Sequence, residues 1–141
     1  KLSINNKMAL RSIFGWAVLF CFLLIFTFSV YRKYKLKRHY SIANATILQA
    51  GVPIQKNGSW TVMYSFLDSG GDTIALTTQC FINIELKDSL IGRTVPCAYL
   101  KNNSKISELL IYEHTWKQYG LAYPDSMKWT KSFFKDIIYS Y

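Results

Sequence analysis

The sequence is poor in the residues that build metal centres and active sites. It contains two histidines, His39 and His114, and three cysteines, and none of these has a metal-ligand spacing. No glycine-rich phosphate loop, nucleophile elbow or zinc-protease motif occurs. Asp68 and Asp72 lie in a predicted turn, where local hydrogen bonding accounts for them. We therefore predict no catalytic residues, no metal and no cofactor, and a protein that is not an enzyme.

Acidic residues are absent from the first part of the chain. Residues 1–39 carry eight Lys or Arg and no Asp or Glu, whereas residues 40–141 carry nine basic and eight acidic residues. The formal net charge of +9 therefore comes almost entirely from the N-terminal part. A nearly neutral remainder does not indicate a nucleic-acid surface, so we expect no nucleic-acid partner.

Charge is missing altogether between Ser12 and Tyr31. Twelve of these twenty residues are Leu, Ile, Val or Phe. A helix of this length is about 30 Å long, which matches the hydrocarbon core of a bilayer. Because no small-residue cleavage site follows the run directly, we predict an uncleaved single-pass transmembrane helix and not a signal peptide.

Basic residues flank the predicted span and indicate its orientation. Five follow it closely, and three precede it. Since Lys and Arg accumulate on the cytoplasmic side of spanning helices, this bias predicts a cytoplasmic soluble domain. The second flank also suits anionic lipid, so the lipid bilayer is an expected partner. The residues of this basic membrane flank are Arg32, Lys33, Lys35, Lys37 and Arg38.

Short alternating segments follow His39 and predict strands. Trp60, Val62, Tyr64 and Phe66 fall on one face of the clearest of them, and the Asp/Gly turn after it predicts a hairpin. The five predicted strands are 41–50, 59–67, 73–82, 93–100 and 106–112, with turns at 51–58 and 101–105. Segment 83–91 is expected to form a helical turn. Pro96 cannot donate to a ladder, so its strand is predicted at an edge or with a bulge.

The C-terminal segment has a helical period in place of the strand period. Residues 119–124 are predicted as a linker, and Met127–Tyr141 as an amphipathic helix with Lys128, Lys131 and Lys135 on its polar face. This helix either covers the β domain or lies in the membrane interface. Its apolar residues are the candidate interface residues: Trp129, Phe133, Phe134, Ile137 and Tyr141.

The predicted fold class is mainly β with α. It combines one N-terminal transmembrane helix, a small antiparallel β-barrel or sandwich of about five strands, and a C-terminal amphipathic helix. The predicted parts are an anchor with basic flanks (1–39), a β domain (40–118), and a linker with the final helix (119–141). Cys80 and Cys97 lie in strand-like segments of the β domain, either as buried free thiols or as a disulfide in an oxidising compartment.

Several short patterns occur in a characteristic order between Ala45 and Ile111. They are Val62-x-Tyr64-x-Phe66, the turn Asp68–Gly71, Gly92-x-x-Val95-x-x-Tyr99, and Asn103 followed by Ser107-x-Leu109. In these features the chain resembles a large family of uncharacterised bacterial membrane-anchored β domains, a domain-of-unknown-function family. The chain departs from the family pattern at Ser104, where Pro is common. The resemblance implies a small β fold beside a membrane and implies no activity.

The function expected from these observations is non-enzymatic. A single span, a neutral β domain and no catalytic groups indicate an accessory or interaction subunit of a membrane protein complex, or of a homo-oligomer. One alternative is a sensor of lipid or a small ligand at the membrane surface, with Trp60, Tyr64 and Phe66 lining a pocket. Another alternative is a protective, immunity-type partner protein.

Overall fold

The chain folds as one long helix followed by a small antiparallel sheet with short helices. A computed structural model describes the backbone of residues 4–53 and 59–135, and the side chains of residues 14–51 and 59–135. The chain divides into two compact units after Lys35. In chain order the elements are α1 (Ile4–Arg38), β1 (Tyr40–Pro53), β2 (Trp60–Leu67), β3 (Thr73–Cys80), a 3₁₀ helix (Ile84–Leu90), β4 (Thr94–Leu100), β5 (Asn103–Leu109), α2 (Glu113–Gln118), a second 3₁₀ helix (Asp125–Met127) and α3 (Thr130–Phe133).

Helix α1 has the composition of a membrane span. Within Phe14–Arg38, the most apolar segment of 18 residues has a mean hydropathy of 2.1, and none of that segment is buried. Large side chains such as Phe14 and Trp16 are about 70% exposed. A core helix of a soluble protein would bury such residues, whereas this one is long and apolar enough to cross a membrane. An N-terminal signal sequence has the same length and composition.

The second unit is a five-stranded antiparallel sheet that is nearly closed into a barrel. The strand order is β3-β2-β1-β4-β5, so β3 and β5 form the two edges. These edges approach each other, and a hydrogen bond of 2.9 Å between Tyr64 Oη and Ser107 Oγ links β2 to β5 across the interior. With α1 included, helix and strand contents are roughly equal. The predicted combination of an N-terminal apolar helix, a small antiparallel β-barrel and a C-terminal helix is confirmed, although the C-terminal helix is shorter than predicted.

The interior of the barrel is built from alternate residues of each strand. On β2, Val62, Tyr64 and Phe66 are buried, while Met63, which lies between the first two, and Leu67, which follows the last, are exposed. This is the face predicted from the sequence, and it follows from the two-residue period of a strand. The Phe66 ring lies 5.2 Å from the Tyr99 ring of β4, which joins the two halves of the sheet. The remaining fully buried members of the barrel interior include Ala45, Ile47, Val95 and Cys97.

The turn between β2 and β3 closes one end of the barrel. The Asp68 carboxylate accepts hydrogen bonds from Ser104 Oγ (2.6 Å) and from the amides of Gly70 and Asp72 (2.8 and 3.1 Å). The Ser104 hydroxyl and then the turn amides hold the pKa of this carboxyl below its usual range. Ser104 is the second residue of β5, so its bond to Asp68 also links the β2–β3 turn to the β5 edge of the sheet.

Strand β1 is longer than predicted, and its register is irregular at two positions. It continues through Pro53, with irregular register between Ile47 and Gln49 and again between Ala50 and Val52. Gly51 lies in the second irregularity at φ +99°, and a Cβ there would lie 2.8 Å from Lys87 Cδ. The turn predicted to begin at Gly51 is therefore still strand at its first residues. Its remainder, including Asn57 and Gly58, lies outside the described residues.

Of the two alternatives predicted for the strand of Pro96, the edge location is wrong, whereas an irregular β4–β5 register between Tyr99 and Leu100 agrees with a bulge. Strand β4 pairs with β1 on one side and β5 on the other. The Pro96 carbonyl accepts from the Leu110 amide at 2.8 Å, so the Pro96 nitrogen faces the β5 side. The β4–β5 register ends at Cys97 opposite Leu109. The missing donor would face the Leu110 carbonyl, and that carbonyl instead accepts from Trp116 Nε1 at 2.6 Å.

Two further boundaries differ from the sequence prediction. Strand β5 begins at Asn103 and ends at Leu109, three residues earlier at each end than expected, because Lys101 and Asn102 alone form the hairpin turn. Residues 113–118 form α2, where no helix was predicted. The 3₁₀ helix at Ile84–Leu90 confirms the expected helical turn.

Candidate functional site: an uncharged sheet face and a basic pocket

Metal and disulfide chemistry have no site in the part of the chain that the structure describes. No group of three or more His, Cys, Asp or Glu is placed to hold a metal ion there. Cys80 and Cys97 are buried free thiols, which decides between the two alternatives left open by the sequence. Burial raises the pKa of each thiol from the ordinary 9.0 to about 12. A buried thiol of raised pKa is a poor nucleophile, so both behave as core residues.

The C-terminal segment covers the β domain. Thr130 Oγ1 donates to the Ile111 carbonyl at 2.9 Å, and Trp116 Nε1 donates to the Leu110 carbonyl at 2.6 Å. The bond of Thr130 fastens the C-terminal segment to the residues that follow β5, and the bond of Trp116 fastens α2 to the same residues. Of the two alternatives considered for the predicted helix, the described residues therefore support the one in which it packs on the β domain.

The predicted helix is much shorter than expected. Helix α3 has four residues and ends at Phe133, and Phe134 is extended with φ −115° and ψ 126°. Phe134 forms a bridge with Ile82, and the Lys135 amide donates to the Phe81 carbonyl at 2.7 Å. The Phe134 amide still donates to the Thr130 carbonyl, and strand-like pairing replaces helical hydrogen bonding at Lys135, the last residue that the structure describes.

The candidate interface residues have different locations. Phe133 and Phe134 are 8% and 3% exposed within the core, so their proposed role in contacting a partner or the membrane has to be corrected. Trp129 is partly buried, and the Arg93 guanidinium lies 4.7 Å from its ring and 4.7 Å from the Phe133 ring. Ile137 and Tyr141 lie outside the described residues. The described residues of this apolar face, Trp129, Phe133 and Phe134, therefore pack toward the β domain.

The basic membrane flank lies at the C-terminal end of α1. Arg32, Lys33, Lys37 and Arg38 are exposed, and Lys35 is half-buried. Arg32 lies over the Phe28 ring one turn earlier, 5.7 Å from its centroid. Exposed cations at the end of an apolar helix suit the interfacial region of a bilayer.

The outer face of β1, β2 and β3 lacks charge over its whole described extent. Rows of paired outward residues cross the three strands, such as Thr46–Ser65–Ala75 and Gln49–Met63–Thr77. Ordinary protein surfaces carry roughly a quarter to a third charged residues. We name this surface the uncharged sheet face; its residues are Ile42, Asn44, Thr46, Leu48, Gln49, Thr61, Met63, Ser65, Leu67, Thr73, Ala75, Thr77 and Gln79.

Several large apolar side chains are exposed within the uncharged sheet face. Leu67 is 62% exposed, Ile42 47% and Leu48 44%, and Met63 lies at the centre of the three strands. Depletion of charge together with exposed aliphatic and Met side chains is the composition found at the cores of protein interfaces. The face resembles an interface more than it resembles an ordinary solvated surface.

A second feature is a concave pocket between α2 and the C-terminal segment. Its volume is about 460 Å³, and its residues include both an apolar floor and several cations. We name it the basic pocket; it is lined by Ile111, Tyr112, Glu113, His114, Lys117, Thr130, Lys131, Phe134 and Lys135.

Ion pairs organise the rim of the basic pocket. Glu113 Oε1 lies 3.1 Å from Lys117 Nζ, and Glu113 Oε2 lies 3.1 Å from Lys131 Nζ. Lys117 and then Lys131 hold the pKa of the Glu113 carboxyl below its usual range. One carboxylate thus bridges two ammonium groups that come from different helices. Helix α2 brings both Glu113 and His114 to this pocket.

The sequence contained only part of the signal for this pocket. Glu113 and Lys117 are four apart, a spacing that favours a helical ion pair. The pairing of Glu113 with Lys131 depends on the fold, because eighteen residues separate them. Tyr64 and Phe66, which the sequence offered as pocket-lining residues, are core residues with 2% and 3% exposure.

The comparisons with known proteins add no function to this geometry. No family model matches the chain. No curated protein matches it, and no solved structure matches it. The resemblance to a family of membrane-anchored β domains therefore stays a prediction, and the function has to be argued from the helix, the uncharged sheet face and the basic pocket.

Proposed function

We propose that this chain is a single-pass membrane protein whose β domain is an accessory or interaction subunit of a membrane protein complex. The observation that carries the proposal is the helical stretch Phe14–Arg38, whose most apolar segment of 18 residues is not buried at all. Leaving that many apolar side chains in water is unfavourable by about 1.5–3 kcal/mol for each large residue. A bilayer removes this cost, and the helix is long enough to span it.

The distribution of charge supports a cytoplasmic β domain. The basic membrane flank between the span and Tyr40 holds five cations, and acidic residues are absent from positions 1–39. Retention of such a flank on the cytoplasmic side is the usual outcome of insertion. A reducing cytoplasm also agrees with two cysteines that remain free thiols.

The uncharged sheet face supports an interaction role. A protein partner whose contacting surface is also uncharged would bury Met63 and Leu67 without leaving a charge unpaired. The partner we propose is a second polypeptide of the same membrane, since the anchor restricts the β domain to encounters near the bilayer. A second copy of this chain is one form of that partner.

We expect two charges on this face to release the partner. Met63→Lys combined with Leu67→Lys places two ammonium groups on the central strand of the uncharged sheet face. Burying an unpaired charge costs several kcal/mol, so recovery of crosslinked or copurified partner from mild detergent should fall by at least about tenfold. The melting temperature should change little, because both side chains point away from the barrel interior.

The matched control introduces two lysines outside the uncharged sheet face. Ile84→Lys combined with Ile91→Lys also converts two exposed aliphatic side chains, which are 39% and 50% exposed, to lysine outside the face. This variant should keep the partner. Recovery of the wild-type chain only as a free monomer, or equal loss in both double variants, would contradict the proposal.

A further inference from the structure

The basic pocket has a chemical character that the proposed function does not use. We propose that it binds an amphiphilic anion, that is, a phosphate or carboxylate group carried on an apolar body. The inference is independent of membrane anchoring and of any partner on the uncharged sheet face. It depends on the charge, the floor and the size of a pocket formed within the second unit.

The positive charge of the pocket wall favours a ligand with an anionic group. Three ammonium groups, those of Lys117, Lys131 and Lys135, line the pocket together with one carboxylate, that of Glu113. With the imidazole of His114 counted as neutral, the wall keeps a net charge of +2. A cleft lined mostly by one sign of charge concentrates ligands of the opposite sign. A phosphate or carboxylate therefore gains more here than a neutral or cationic group does.

Ion pairing prepares the lysines for such a ligand. Lys117 and Lys131 are each held 3.1 Å from the same Glu113 carboxylate, so their ammonium groups are already gathered at one rim. A ligand anion accepts from the remaining N–H groups of these lysines, since each ammonium has three donors. Glu113 positions the cations and also repels the ligand. Removing its charge should therefore strengthen binding.

The floor selects the apolar body. Ile111, Tyr112 and Phe134 contribute apolar surface beneath the charged rim, and the Tyr112 ring stacks on His114 at 5.3 Å with an interplanar angle of 13°. The volume of about 460 Å³ lies within the usual range for small-molecule sites. Ile111 and Phe134 are each 3% exposed, so a bare inorganic anion would leave mainly the half-buried Tyr112 ring in contact with water. An aromatic or acyl group attached to the anion would cover it.

The test uses the full chain in nanodiscs of zwitterionic phospholipid, titrated calorimetrically with phenyl phosphate and with inorganic phosphate. Phenyl phosphate should bind saturably, and inorganic phosphate should bind at least about tenfold more weakly because it cannot use the floor. Lys117→Gln combined with Lys135→Gln should weaken phenyl phosphate binding by about tenfold or more. Glu113→Gln should strengthen it by about three- to tenfold, because a repelling charge is removed.

The control removes two exposed lysines away from the pocket. Lys101→Gln combined with Lys105→Gln lowers the net charge of the chain by the same amount, and it should leave the affinity within about twofold. Absence of saturable phenyl phosphate binding would overturn the proposal, as would equal weakening in the control variant. Weaker binding to Glu113→Gln would also overturn it, since a purely structural Glu113 predicts loss where the proposal predicts gain.

A second arm distinguishes a soluble ligand from a lipid headgroup. The titration is repeated in nanodiscs that contain phosphatidylglycerol. If the natural anion is a phospholipid headgroup, this lipid should compete with phenyl phosphate in the wild type, and the Lys117→Gln, Lys135→Gln variant should not respond. If the natural anion is soluble, the lipid acts only through the charge of the bilayer surface, and the affinity should shift equally in the wild type and in the Lys117→Gln, Lys135→Gln variant. Both outcomes support the pocket as an anion site, and they show whether the natural anion is a lipid headgroup or a soluble molecule.

Discussion

Tyr64→Ala is expected to lower the free energy of unfolding of the β domain by about 3–5 kcal/mol. Tyr64 is 2% exposed at the centre of β2, between Ile47 of β1 and Leu76 of β3. Its ring stacks on Phe66 at 6.4 Å, and its hydroxyl joins β2 to Ser107 of β5. The substitution therefore opens a cavity in the barrel and also removes its cross-barrel bond. Since small domains are stable by only about 5–15 kcal/mol, much of the fold should be lost on mild heating.

The hydroxyl and the ring can be separated by a second variant. Tyr64→Phe keeps the ring and removes only the bond to Ser107, so it should cost about 0.5–1.5 kcal/mol. Urea unfolding of the full chain in detergent, followed by near-ultraviolet circular dichroism, gives both values. A cost below about 1 kcal/mol for Tyr64→Ala would contradict a barrel closed around this ring.

The β domain is expected to lose stability steeply as the pH rises above 9. Burial raises the pKa of the Cys80 and Cys97 thiols from 9.0 to about 12. Between these values the unfolded chain releases two protons that the folded chain keeps, so unfolding becomes more favourable with rising pH. Two thiols correspond to about 3 kcal/mol per pH unit. Their stabilising contribution is thus complete below pH 9 and is lost toward pH 12.

Tyrosines add to this loss at the upper end of the range. Burial raises the pKa of Tyr64 from 10.0 to about 12. Burial, and after it the nearby Glu108 carboxylate, raises the pKa of Tyr119, whose hydroxyl donates to Glu108 at 2.8 Å. Both groups are phenols, so the sign of their effect is that of the thiols. The loss of stability should therefore become steeper above pH 10.

Cysteine variants test the origin of the alkaline loss. Cys80→Ala combined with Cys97→Ala should remove most of the pH dependence between 9 and 10, although the absolute stability falls with the lost packing. Cys21→Ala should keep the wild-type dependence, because Cys21 lies in α1 outside the β domain. An unchanged slope in the double variant would show that the thiols are not the titrating groups.

The parts of the fold that the sequence predicted are those with a strong local period. The alternation around Val62, Tyr64 and Phe66 identifies a strand because one face is buried in the barrel and the other is exposed. The uncharged run of α1 identifies an apolar helix by length alone. The adjacent glycines after Asp68 identify a hairpin, since a residue such as Gly71 adopts φ +84° there.

The parts that the sequence did not predict depend on tertiary contacts. Phe134 continues a helical apolar pattern, yet its bridge to Ile82 makes it extended. The sequence left an edge location or a bulge open for the strand of Pro96, and the pairing of β4 with both β1 and β5 excludes the edge. The basic pocket requires Lys131 to meet Glu113 across the fold. No local pattern contains these pairings, since each joins segments that are distant in sequence.

The central claim is that α1 lies in a bilayer, and alkaline carbonate extraction tests it most directly. Under these conditions peripheral proteins are released, and the β domain itself should be destabilised by its buried thiols, so retention reports on the helix alone. The account predicts that the intact chain, identified by its full mass, stays in the membrane pellet. Release of the intact chain into the supernatant would contradict it, as would recovery of a chain shortened at a site after Tyr31.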